Sequence, residues 1–377
     1  MKIAVVYHYF PHYRKGVFEE LSARYKDVTF ISSDWDSLEG IPRLSVENLG
    51  TAVEFPSLRL GRMIYQRGLC SYVFKERFDV VIFLANPNFA STWLAACIAR
   101  LRGSRVIFWG HGFLHGQVNI KNRIRKIYFK LANASYVYGY GAKKNAVALG
   151  FDPTHVHVGF NSLDYGAQLV IRERLLGAQV NLCGDVFHIL CVSRLTELCK
   201  YDLLIRAIAL FSDEEREKIR LEFVGAGPAE LKLKDLAADL GIHATFRGAI
   251  YDEEVVAGRI FSADVVVSPG KVGLTAIHSM TYGTPVITLG KPDEQMPEYE
   301  AVIDGVTGIL YESQSAAGIN SALVRFRSIF LNRKLTRECC FRVVDEIYNP
   351  RSQVDVIERA FHGLPAKEGN DVSALVW

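Results

Sequence analysis

Three stretches in the second half of the chain place cations and glycines where an anionic group would need them. Val192-Ser193-Arg194-Leu195-Thr196 follows an apolar run and is itself followed by Lys200. A breaking bond to a diphosphate gathers negative charge on the departing oxygens. A planar guanidinium at position 194 and a compact ammonium at position 200 match that need, as catalytic cations. Phe223-Val224-Gly225-Ala226-Gly227-Pro228 turns on two glycines, which let a backbone come close to a ligand, and enters a helix through a proline suited to its first turn. Ser268-Pro269-Gly270-Lys271-Val272-Gly273-Leu274-Thr275 opens another helix, whose free amides near Leu274 and Thr275 can hold phosphate oxygens beside Lys271. Gly283 is the expected stop of that helix. Each stretch alone also reads as ordinary loop chemistry. Their agreement favours a diphosphate site.

Such motifs need a scaffold that gathers strand ends. Apolar runs at 3–7, 29–32, 80–84, 106–109 and 136–138 alternate with amphipathic stretches; the pattern weakens between 161 and 184 and restarts at 187–192, 221–224, 244–247, 265–267 and 286–289. This alternation predicts an α/β chain of two Rossmann-like domains, 1–170 and 171–355, each a parallel sheet covered by helices on both faces. A last helix and tail over 356–377 is expected to pack back on the first domain. The length of 377 residues and the 49% hydrophobic composition suit two cores. Ligands of such sheets sit at the C-terminal strand ends, so two facing domains would hold the site in a cleft between them. No apolar run is long enough to cross a bilayer, because the stretch 80–99 is broken by Asn86-Pro87-Asn88. Seven cysteines without CxxC spacing fit a reducing cytoplasm.

The net charge of +3 hides an asymmetry. Residues 1–170 carry roughly nine more Lys and Arg than Asp and Glu, and no carboxylate lies between Asp79 and Asp152. Lys121, Arg123, Arg125, Lys126 and Lys130 fall in that stretch, together with Ile124, Ile127, Tyr128 and Leu131 at a spacing that directs them toward a core. The basic face points to an anionic partner, a membrane surface at the inner face of the plasma membrane rather than nucleic acid, for which no binding motif is present.

The order and spacing of the three motifs, ending in Tyr282-Gly283-Thr284-Pro285-Val286, resembles the retaining glycosyltransferases of family 4, which have the GT-B fold of two facing Rossmann-like domains. The resemblance covers most of 187–310, and Gly305-Val306-Thr307-Gly308 is similar to the segment that follows the donor site in that family. Trp109-Gly110-His111-Gly112, 137–144 and Phe160-Asn161-Ser162-Leu163-Asp164 look more loosely like elements of bacterial surface-polysaccharide transferases. What it implies is transfer of a sugar from a nucleotide-diphosphate sugar to a saccharide or lipid-linked acceptor, with retention of configuration. Gly225, Gly227, Gly270, Lys271, Gly273, Leu274 and Thr275 are then the donor-binding set. Members commonly carry two glutamates with seven residues between them; the corresponding positions here are Gly270 and His278. His278 can still bond a ribose hydroxyl, whereas Gly270 offers no side chain, leaving Glu294, Glu298 and Glu300 as candidate replacements. The usual lysine slips by one position, which puts Cys199 in its place and Lys200 beside it.

In the first half, His8, His12, Arg14 and Lys15 follow the opening run, where an imidazole can take a hydroxyl proton and the cations can meet a lipid-linked diphosphate. His111 is the histidine expected to contact a sugar. Asp34-Trp35-Asp36 matches the Asp-x-Asp metal signature of another glycosyltransferase fold, but it comes early in the chain and lacks a companion ligand cluster, so no metal cofactor is expected. A nicotinamide oxidoreductase would need glycines after the first strand, and the stretch 7–15 has none. Two alternatives stay open: a nucleotide-sugar epimerase of similar architecture, and a catalytically silent nucleotide-sugar-binding subunit.

Overall fold

The computed structural model describes residues 1–34, 42–113, 120–178 and 186–367. Contacts divide the chain into two compact units, Met1–Asp164 with a return segment from Asn349, and Tyr165–Tyr348. The strands of the first unit are β1 (Lys2–Val6), β2 (Asp27–Ser33), β3 (Thr51–Phe55), an antiparallel hairpin of β4 (Ser57–Leu60) and β5 (Met63–Gln66), β6 (Val80–Leu84), β7 (Arg105–Gly110), β8 (Ala134–Val137) and β9 (Val156–Val158). All but the hairpin form one parallel sheet in the order β3-β2-β1-β6-β7-β8-β9. The second unit has β10 (Phe187–Val192), β11 (Ile219–Val224), β12 (Ala244–Phe246), β13 (Val265–Ser268), β14 (Val286–Leu289) and β15 (Gly308–Tyr311), parallel in the order β12-β11-β10-β13-β14-β15. This is the expected α/β architecture.

Strands buried on both faces explain the unbroken apolar runs. In β1, Ile3 and Val5 enter the core on one face while Ala4 and Val6 enter the core on the other. The edge strand β3 is half-exposed and carries Glu54 among its five residues, so its sequence gives no comparable signal.

Strand order fixes where ligands can sit. In each sheet the chain leaves a central strand toward one edge and returns on the opposite side of that strand, which opens a crevice at the C-terminal ends of the pair. In the first unit the pair is β1 and β6; in the second it is β10 and β13.

The unit boundaries differ from the expected ones. Position 170/171 lies inside the helix Tyr165–Gly177, which belongs wholly to the second unit because Asp345 accepts from Tyr165 Oη at 2.7 Å and from both terminal nitrogens of Arg172 at 2.9 Å. Position 355/356 lies inside the helix Pro350–Phe361, which belongs wholly to the first. Asn349 caps its start through Ser352 N, and Arg24 on the helix Lys15–Arg24 pairs with its Asp355 and Glu358 at 2.6 and 2.9 Å.

Glu222 in β11 is fully buried, and it is the electrostatic centre of the second unit. Arg247 Nε reaches Oε1 at 3.1 Å, Arg220 reaches Oε2 at 3.1 Å, Arg259 also pairs with Oε1, and His188 Nε2 lies 3.2 Å from Oε2. Burial alone would push the carboxyl up, but His188, Arg259 and Arg247 outweigh it and hold it down to about 2. A carboxyl depressed in the folded state stabilises the fold above its unfolded value and loses that contribution as pH falls toward the folded one. Glu222→Gln is expected to cost about 2–4 kcal/mol at pH 7 in urea unfolding, with the partly exposed arginines keeping it below the fully buried limit. The difference from the parent should shrink between about pH 4.5 and pH 2.

Candidate functional site

At the β10/β13 switch point the backbone is packed so closely that glycine is required. Gly225 has φ +141°, and a β-carbon there would stand 1.9 Å from Ser193 O; at Gly227 it would stand 2.2 Å from Leu195 O. The loop after β11 thus lies directly on the loop after β10, joined by Ser193 N to Val224 O and Leu195 N to Ala226 O, both 3.1 Å. The sequence reading gave these two glycines to ligand approach; the close approach they permit is to their own chain. Their effect is to clamp Ser193 and Leu195 while leaving the Arg194 side chain exposed.

Gly270 shows the same constraint. Its β-carbon would stand 2.2 Å from Leu198 O, and its amide donates to Cys199 O at 3.0 Å. The turn Glu197–Cys199 fills the space in which any side chain at position 270 would start. Cys199 points back into its own loop, with Sγ 3.2 Å from Arg194 O, and Lys200 follows in a left-handed conformation, φ 56°. Among the described residues, Arg194, Lys200 and Lys271 have no carboxylate partner within ion-pair distance. Glu197, the carboxylate nearest in sequence, is taken by Lys232 at 2.6 Å.

The helix Thr275–Thr281 starts beside these cations and ends through Gly283, φ 75°, as expected. Its first turn bonds Ala276 N to Gly273 O and His278 N to Leu274 O, so the amides of Gly273, Leu274 and Thr275 precede the helical ladder. A β-carbon on Gly273 would meet nothing within 4 Å, and Gly273, Leu274 and Thr275 are each partly exposed. Thr275 contributes by backbone, because its hydroxyl is spent on Val192 O at 3.2 Å. Gln295 braces the approach: its Oε1 accepts from Val272 N at 2.8 Å and its Nε2 donates to Gly270 O at 3.1 Å and Leu289 O at 2.9 Å. Nothing in the sequence pattern marks Gln295, which lies in a loop after the motif.

His278 is held elsewhere. Its Nε2 is 2.9 Å from Glu253 Oε1, the same oxygen that accepts from Tyr282 Oη at 2.6 Å and Gln168 Nε2 at 2.9 Å. Burial would raise the Glu253 carboxyl, yet His278, Tyr282 and Gln168 hold it down to about 2. The expected ribose contact is therefore limited to the remaining ring nitrogen, and a carboxylate from another helix stands beside position 278. Of the candidate replacements, Glu294 lies 3.5 Å from Lys291, and Glu298 is buried in the turn Pro297–Ala301.

In the first unit, His111 follows β7 with an exposed edge, its ring 5.0 Å edge-on from Tyr138. Burial of its other side, Arg14 and Arg125 hold the imidazole below its usual value, favouring the neutral form. Arg125 itself donates to Gly112 O at 3.2 Å. In the helix Ile120–Phe129, Tyr128 and Phe129 are buried, but Ile124 and Ile127 are 46% and 59% exposed. That differs from the expected core-facing stripe, because among the described side chains of this helix the buried ones lie in its last turn. Arg123 and Lys130 on the same helix stretch are exposed and Lys126 is half-buried, while the Lys121 side chain lies outside the described residues, as do Trp35 and Asp36 of the Asp-x-Asp stretch. No group of three or more His, Cys, Asp or Glu arranged to hold a metal occurs among the described residues.

With this geometry in view, the relatives of the chain fall into place. Residues 186–328 match the model of the family Glycosyl transferases group 1. The GDP-mannose-dependent alpha-(1-6)-phosphatidylinositol dimannoside mannosyltransferase of Mycobacterium tuberculosis is 38% identical over 89 residues, which are 23% of this chain and 23% of that protein. The matched stretch thus spans less than a quarter of the length of that curated relative. Among solved structures, Anabaena Alr3699/HepE in complex with UDP superposes with a TM-score of 0.73 at 13% identity, covering 97% of this chain and 100% of that one. The apo form of the lipopolysaccharide outer core galactosyltransferase WaaB gives 0.70 at 15% identity, covering 96% and 99%.

Placing a carboxylate side chain at position 270 tests the packing of this turn directly. Gly270→Glu is expected to displace the turn Glu197–Cys199 and lower nucleotide affinity at least about tenfold, read by calorimetry with UDP and GDP. Tighter binding by the variant would remove the packing explanation. The fold is GT-B, and its second unit carries the group 1 glycosyl transferase signature.

Proposed function

We propose that this chain transfers a glycosyl group from a nucleotide-diphosphate sugar, held at the β10/β13 switch point, to a saccharide or lipid-linked acceptor. The observation that carries this reading is the set of unpaired cations Arg194, Lys200 and Lys271 beside the amides of Gly273, Leu274 and Thr275, inside the segment that matches the family model. As the glycosidic bond breaks, charge develops on the departing diphosphate. Arg194 meets it with a planar fork, Lys200 with a point charge, and the helix start with backbone dipoles. These groups supply the neutralisation that a divalent metal provides in other sites. His111, biased toward neutral imidazole, is assigned a sugar hydroxyl, and the resemblance to family 4 supports retention of configuration.

Arg194→Ala is expected to lower turnover by about 10²–10³-fold, because it removes one donor aimed at developing charge. The exposed side chain makes no ion pair, so thermal unfolding should stay within a few degrees of the parent. Turnover equal to the parent would refute the role, and consumption of the nucleotide sugar without any acceptor would assign an epimerase instead.

The surface proposal concerns the helix Ile120–Phe129 and the residue after it. Arg123 and Lys130, with the exposed Ile124 and Ile127, suit an anionic bilayer whose headgroups meet the cations while the apolar side chains enter the interface. Replacing Arg123, Lys126 and Lys130 together by Glu is expected to reduce binding to phosphatidylserine vesicles at least about tenfold in sedimentation assays. Arg125 is left in place because it holds the Gly112 carbonyl. Equal binding by parent and variant would refute the surface.

A further inference from the structure

The first unit contains a second constellation, at the β1/β6 switch point. Arg14 lies in the short turn after β1 and is 5% exposed. Its guanidinium carbon is 4.8 Å from the ring of Trp109, 5.2 Å from that of Tyr138, 5.5 Å from that of Tyr13 and 5.8 Å from that of Tyr7. One terminal nitrogen donates to Tyr138 Oη. Arg14 Nε and Nη1 are buried with no partner, and the same holds for Trp109 Nε1, whereas the Tyr7 hydroxyl interacts with Tyr138. The cluster therefore holds three N–H donors without an acceptor, and no carboxylate pairs with Arg14 among the described residues.

Aromatic faces attract a cation, but they do not accept the in-plane N–H groups of a guanidinium. Burying such donors without an acceptor is costly, and arginine cannot escape by losing its proton as a lysine or histidine would. A fold that keeps such an imbalance at the strand ends of a doubly wound sheet, where ligands bind, keeps it for a group that completes it. Of the four rings around the guanidinium, Tyr7, Trp109 and Tyr138 are buried, whereas Tyr13 is half-exposed. His111 stands beside them, against Tyr138.

We propose that Arg14 and Trp109 form a receptor for an anionic oxygen group, a phosphate or a carboxylate, carried by the acceptor substrate. The word acceptor rests on the glycosyl-transfer reading; the anion site stands on its own geometry.

Trp109 reports on this site from within. The chain has four tryptophans, so full-length protein labelled with 5-fluorotryptophan gives a small set of fluorine resonances, assignable by single Trp→Phe replacements. Titration with inorganic phosphate, pyrophosphate and acetate separates the two sources of anion, with glucose as the neutral control. A saturable shift of the Trp109 line with phosphate or pyrophosphate, or with acetate, is the expected result, with glucose leaving it in place. Arg14→Gln should abolish the shift, and Arg14→Lys, which keeps the charge without the fork, should weaken it at least tenfold; the second variant serves if the first fails to fold, judged by the other fluorine lines. A Trp109 line that ignores all three anions, or that moves equally in folded Arg14 variants, would overturn the proposal. Thermal shift with UDP and GDP on the same proteins reads the second unit separately. Absence of any nucleotide response beside an intact Trp109 response would sink the donor reading and leave the anion site standing.

Discussion

In the loops after β10, β11 and β13, three carbonyl oxygens stand where a β-carbon would otherwise be: those of Ser193, Leu195 and Leu198, against Gly225, Gly227 and Gly270. The loops after β10, β11 and β13 are stacked backbone on backbone, and each contact tolerates hydrogen alone. This packing presents Arg194 outward, sets Lys200 in its left-handed turn, and delivers the chain to the helix start at Gly273. It also leaves no room for a side chain at position 270, and it fixes the backbone that carries the neighbouring cations and the helix start.

Charge is distributed unequally across the second unit, and for different purposes. Glu222, sunk in β11, is surrounded by Arg220, Arg247, Arg259 and His188, and its ionised form is part of the fold. Glu253 is held by His278, Tyr282 and Gln168 in a network that ties three helices of this unit together. Against these satisfied carboxylates, Arg194, Lys200 and Lys271 form no ion pair within 4 Å among the described residues. An unpaired cation near the surface costs little because water solvates it, which leaves its charge available to a ligand.

The first unit repeats the theme in a drier setting. Arg14 is also without a carboxylate among the described residues, but it is buried under aromatic rings, where solvation is lost and the imbalance is expensive. The cation clusters of the two sheets lie at the β1/β6 and β10/β13 switch points, an outcome of chain topology rather than of similar sequence.

Much of the fold was legible because a parallel strand covered on both faces must be apolar at every position, and such runs mark β1, β6, β7, β10, β13 and β14 directly. The glycine and cation motifs were likewise readable, since their residue types announce a helix start and an anion site. The half-exposed edge strand β3 was not, nor were the unit boundaries, which depend on Asp345 gripping Tyr165 and Arg172 across some 170 residues of chain. Sequence alone determined that Arg194, Lys200 and the Gly270–Thr275 stretch belong together. Only tertiary packing decided that Gly225, Gly227 and Gly270 serve the backbone, that His278 is bound to Glu253, and that Arg14 lies buried under aromatic rings. Those outcomes depend on which atoms fill the space beside a residue, and that space is furnished by segments distant in the chain.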